Sequence, residues 1–166
     1  CCRPGIRMNQ DLRDKAEENE YMNRIVKEYN DQGCLLFSET YPGAYTRAPL
    51  AAEALAKFDE EIQLYCRWAG IVASTEKHII IQEKYSPDLH IEDADSDVIF
   101  ASERQPLSQE DFQALNSLVL QSAQDFQSLY DSIPDKDVTS LKGRKCFYGD
   151  VPITAREMYN HTSGVN

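Results

Sequence analysis

The sequence is short of positive charge: 17 Lys and Arg stand against 28 Asp and Glu, for a net charge of −11. A field of that sign repels phosphate backbones, which argues against nucleic acid as a direct ligand. No apolar run approaches the roughly 18 residues that a membrane span needs. A basic head followed by an apolar stretch, the mark of a secretory signal, is also missing. The 5 cysteines form an odd set, Cys1, Cys2, Cys34, Cys66 and Cys146, without C-x-x-C spacing. Three of them sit inside apolar patterns, where a thiol behaves as a small hydrophobe. The expectation is a soluble protein of a reducing, cytoplasmic setting. A glycine-rich phosphate loop is lacking too, and "GRKCFYGD" has no Lys-Ser/Thr to coordinate a nucleotide.

What is present suffices for a core. The 166 residues, 42% of them hydrophobic, fit one ordinary domain or two small ones. The opening "CCRPGIR" precedes Met8 and matches no element pattern, so residues 1–21 are read as a tail running into a frayed, charged helix from Asp11 to Asn23. "NRIVKEYND" and "CLLFSE" predict two strands joined by a tight turn. In "ETYPGAYTRA", Pro42 presets the first turn angle and Gly43 takes a positive φ, which predicts a type II turn feeding a third strand over Ala44 to Arg47. Pro49 suits the first turn of a helix. Ala51, Leu55, Phe58, Ile62, Tyr65 and Ala69 step by 4, 3, 4, 3, 4, a core-facing stripe ending near Gly70. Glu53, Lys57, Glu60, Glu61 and Arg67 occupy the far face. "KHIIIQEKY" reads as a buried strand and "DVIFAS" as one more short strand.

A boundary falls at "RQPLSQED". Ser108 and Asp111 make an S-x-x-[DE] capping box, and Phe112, Leu115, Val119, Ser122, Phe126, Leu129 and Ile133 describe one long amphipathic helix stopped by Pro134. A loop of more than a dozen residues follows, expected to pack Phe147 and Tyr148 against that helix. Thr154 and Glu157 form a second capping box, opening a helix about three turns from the chain's end, so this part reads as truncated. Met158, His161 and Val165 share a stripe that puts the histidine on an apolar face.

Chemistry-bearing constellations are sparse. Asp93, Asp95 and Asp97 open like a calcium loop, but Val98 and Arg104 stand where Gly and Glu are required, leaving an acidic turn. No local motif links a cysteine nucleophile with His78, His90 or His161. His161 alone is a candidate metal ligand, and one ligand makes no site.

Two resemblances follow. The run from Leu35 to Phe37, Pro42, Gly43, Tyr45 and Thr46, then Glu53, Ala54 and Leu55, resembles the HicB-like antitoxin domain over about residues 22–83. That resemblance implies a partial ribonuclease-H-like β-β-β-α-β fold without catalytic carboxylates, working by binding, with a small basic ribonuclease toxin as partner. Residues 108–166, with a long helix, "FYGD" and "TAREMYNH", resemble the first half of a DinB-like four-helix bundle. There a histidine at the position of His161 is the first of three ligands to a divalent metal, which implies zinc or nickel in a longer protein and no cofactor in this chain.

The expected fold class is therefore α+β: a small β-β-β-α-β module with an acidic extension over residues 22–104, then a truncated helical-bundle segment over 105–166. The expected role is non-enzymatic protein binding through the sheet edge and Glu53, Lys57, Glu60 and Glu61. A metal-dependent transferase or hydrolase fragment stays open, as does a small-molecule-binding or structural domain. The unpaired edge of so small a sheet also suits a homodimer.

Overall fold

The computed structural model describes residues 22–72, 77–146 and 148–164. It is α+β, and its internal contacts fall into two units that meet between Gln105 and Pro106. The helix expected from Asp11 lies outside the described residues up to position 21, and Met22 and Asn23 open a strand instead.

In the first unit, strands β1 (Met22–Asn30), β2 (Gly33–Ser38) and β3 (Tyr45–Ala48) form an antiparallel meander. Helix α1 (Ala51–Ala69) intervenes before β4 (Lys77–Tyr85), which lies parallel to β1 and completes the order β3-β2-β1-β4. A parallel return needs such a crossover, whereas the antiparallel pairs need only turns. Between β1 and β2 the Asn30 side chain accepts from the Gln32 N–H at 2.9 Å, a local turn bond. Between β2 and β3, Pro42 and Gly43 fill a corner closed by the Ala44 N–H on the Tyr41 carbonyl at 2.9 Å, with Gly43 at φ 97°. Gly33 is required for another reason: an added Cβ would lie 2.7 Å from the Ala48 carbonyl oxygen.

Helix α1 covers one face of this sheet. Its buried row is Ala54, Phe58, Ile62 and Cys66, a strict i+4 series. The wider stripe read from periodicity is half right, because Ala51, Leu55, Tyr65 and Ala69 are only half-buried flanks of that row. The row meets Ile25, Cys34 and Leu36 in one apolar cluster. Burying each large side chain there contributes about 1.5–3 kcal/mol. Strand alternation sends Val26 and Leu35 to the opposite face, and both are also fully buried.

The cover on that second face is residues 86–104, which form a strap. "DVIFAS" is not a strand. Its backbone groups bond to a side chain instead of a ladder: the Gln82 amide donates to the Ile99 carbonyl at 3.0 Å and accepts from the Ala101 N–H at 2.9 Å. A bulge places Gln82 for this, since β1 pairs Ile25 with Ile80 but Val26 with Gln82, leaving Ile81 extra. Strand β4 is accordingly a half-exposed edge and not the buried strand its apolar run suggests.

The second unit comprises helix α2 (Gln109–Ser132), a two-residue-per-strand hairpin of β5 (Lys145–Cys146) and β6 (Gly149–Asp150), and helix α3 (Ala155–Ser163). Both helices start on side-chain caps. Ser108 accepts from the Asp111 N–H, and Thr154 with Glu157 makes a full reciprocal box. Neither helix has a fully buried residue among those described. Tyr159 of α3 stacks on Tyr130 and Phe126 of α2, at ring separations of 4.2 and 5.9 Å.

Candidate functional site

A cleft of about 410 Å³ opens between β3 and α1, lined by Tyr45, Thr46 and Arg47 from the strand and Lys57, Glu60, Glu61 and Leu64 from the helix. The Thr46 hydroxyl ties the two elements together by donating to the Ala54 carbonyl at 2.9 Å. From that anchor, helical spacing carries Lys57, Glu60, Glu61 and Leu64 along the side of α1 that borders the strand. Three of the four helix residues expected to contact a partner thus line one cleft, and Glu53 stands outside its lining. Tyr45, which spacing within the helix could not reveal, joins them because β3 packs beside α1.

The hydrogen-bonding capacity of the lining is uneven. Lys57 Nζ donates to the Arg47 carbonyl at 2.7 Å, which covers part of the edge of β3. The Arg47 guanidinium donates to the carbonyls of Ile91 and Glu92 in the strap. Both cations therefore have donors committed to backbone oxygens. Glu60 and Glu61 have no hydrogen bond or ion pair among the described residues, so the open groups are acceptors. Tyr45 and Leu64, 40% and 48% exposed, supply apolar contact beside them.

A second polar cluster is structural. Glu28 on β1 is wholly buried, and its carboxylate accepts from the Ser86 hydroxyl at 2.5 Å and from the Ser96 hydroxyl, with Lys84 Nζ at 3.4 Å. Lys84 also donates to Asp97; that hydrogen bond comes first in holding the ammonium above the usual lysine range and in holding Asp97 below the usual carboxylate range. A buried carboxylate with three donors needs no ligand. Glu39 is similar: burial pushes its carboxyl up, but hydrogen bonds from Ser102 and Arg24 and the Arg24 charge outweigh that and hold it low.

The histidines do not converge. His78 accepts from the Asn23 amide at Nδ1 and faces Asp59 at Nε2, each at 3.2 Å. His90 pairs in an isolated bridge with Asp95, and His161 stacks on Tyr148 with ring centroids 6.1 Å apart. His161 is exposed and not on a buried apolar face, even with the Tyr148 ring beside it. Tyr148 is likewise 56% exposed, and Phe147 lies outside the described residues. Among the described residues no group of three His, Cys, Asp or Glu could hold a metal ion, and Asp93, Asp95 and Asp97 do not gather into one. No described helix is long and apolar enough to cross a membrane.

No family model, characterised protein or solved structure matches the chain.

Proposed function

We propose that the chain is a non-enzymatic protein-binding module of the HicB-like kind, joined to the start of a DinB-like helical domain, and that its partner is a small basic protein such as a ribonuclease toxin. The strand order β3-β2-β1-β4 with a helical crossover is compatible with the partial ribonuclease-H-like arrangement which that resemblance implies. The observation that carries the reading is the cleft, where two open carboxylates sit beside exposed apolar surface on a chain of net charge −11. A lysine or arginine entering it lays its aliphatic stem on Tyr45 and Leu64 and its charge on Glu60 and Glu61. The reducing cytoplasm is the assigned setting, supported by Cys34, Cys66 and Cys146, none of which is in a disulfide.

Copurification on the full chain tests this, with the Glu60→Lys, Glu61→Lys double variant as comparison. A basic protein retained by the parent and lost from the variant is the expected result. Equal retention by both would move the contact elsewhere. Stoichiometric zinc or nickel binding that is abolished by His161→Ala would favour the metal-enzyme reading instead.

A further inference from the structure

Strand β3 ends its sheet, and the pairing pattern tells which of its backbone groups are left over. The Ser38 N–H donates to the Ala44 carbonyl at 2.9 Å, and β2 then pairs Leu36 with Thr46 and Cys34 with Ala48. Hydrogen-bonded and non-bonded pairs alternate between antiparallel strands, so Ala44, Thr46 and Ala48 turn their N–H and C=O groups to β2. Tyr45 and Arg47 turn theirs outward. The bond from Lys57 Nζ to the Arg47 carbonyl fits this direction, and it occupies one of the outward groups. The Tyr45 N–H, the Tyr45 C=O and the Arg47 N–H have no hydrogen bond among the described residues.

These groups belong to residues that line the cleft, with Glu60 and Glu61 supplied by its helical side. Donors and an acceptor set along a strand edge are matched by extended backbone, whereas a helix has spent its own groups on internal bonds. A second copy pairing β3 on β3 brings its own Glu60 and Glu61 to the same seam, while its Lys57 is held on its own Arg47 carbonyl. That sets acid beside acid. An extended segment with Lys or Arg at alternate positions satisfies the open backbone groups and the carboxylates together.

We infer that the basic partner enters the cleft as an extended segment that adds a strand to β3, an inference that rests on the proposed binding of a basic protein there. The segment's backbone bonds the open groups of Tyr45 and Arg47. Every second side chain points to the α1 side, where its cations meet Glu60 and Glu61, and Lys57 keeps the Arg47 carbonyl.

The test is titration of the full chain with a short blocked peptide alternating lysine and valine, made in versions that each carry one N-methylated amide. Methyl groups on alternate amides should weaken binding about tenfold, and those between them less than about twofold, because only every second amide faces β3. The Glu60→Lys, Glu61→Lys variant should bind the unmethylated peptide about fivefold more weakly. Arg47→Pro, which removes an outward N–H and leaves the ladder to β2 intact, should weaken it roughly tenfold, and Arg47→Ala less than about twofold. The methylated series decides the matter if the proline variant does not fold. Absence of binding overturns the inference. Binding that the charge variant reduces but that shows no alternation along the methylated series overturns strand addition and leaves the basic partner standing. Alternation untouched by the charge variant supports strand addition and overturns the basic-partner reading. Sedimentation showing a dimer of the chain that Arg47→Pro dissociates also overturns the inference, because a second copy would then hold the edge.

Discussion

Helices α1 and α2 carry almost the same apolar spacing and meet opposite fates. In α1 the stripe finds a sheet, and Phe58 is fully buried against Ile25 and Leu36. Among the described residues the α2 stripe meets the short α3 near one end, and Phe112 stays 54% exposed. Periodicity states which side of a helix can be buried. Whether anything lies there to bury it depends on the rest of the chain or on a partner, which a local pattern does not contain.

Substitutions in the two units should separate them by size of effect. Phe58→Ala removes a fully buried ring and should destabilise the first unit by about 3–5 kcal/mol. The single tryptophan, Trp68, lies in α1, so its fluorescence during denaturant unfolding reports this unit. A loss under about 1 kcal/mol would mean the core is not closed as described. Glu28→Ala should cost about 3 kcal/mol by the same assay, because it strips two hydroxyl bonds and leaves Lys84 without its buried partner. Hydrogen exchange in residues 86–104 should rise with it; unchanged exchange there would deny that Glu28 holds the strap. In the second unit Thr154→Ala should cost about 1 kcal/mol through loss of the capping box, seen as faster exchange in the first turn of α3. Phe112→Ala should change stability by no more than roughly 0.5 kcal/mol, and a larger loss would reveal a core that α2 already shares.

Acid gives the smallest and most local effect. The hydrogen bond from Arg156 comes first in holding Asp137 below the usual carboxylate range, with its charge adding to this. A depressed carboxyl stabilises the fold above its unfolded pKa, and that contribution is lost as pH falls through the folded value. Exchange around Asp137 and Arg156 should therefore stay slow at neutral pH and accelerate only below the ordinary aspartate range. Acceleration already near neutral pH would show the pair does not form.

Much of the first unit was legible because its signals are local. The Pro42-Gly43 corner, the meander before α1 and the helix stop at Gly70 rest on neighbouring residues. The strap was not legible, since its bonds join residues far apart: Glu28 to Ser96, and Gln82 to Ile99 and Ala101. An apolar run such as "DVIFAS" reads as a strand unless a side chain elsewhere claims its backbone. The cleft was legible by half. Helical spacing grouped Lys57, Glu60 and Glu61, but Tyr45 enters through the packing of β3, and the commitment of Lys57 to the Arg47 carbonyl appears only in three dimensions.

The central claim is that the cleft beside β3 receives a basic partner. Hydrogen exchange of the full chain with and without the protein it retains tests this most directly. Slowed exchange confined to Tyr45–Ala48 and the stretch from Lys57 to Leu64, and absent in the Glu60→Lys, Glu61→Lys variant, is the predicted result. Protection that spares both stretches, or that survives charge reversal, would contradict it.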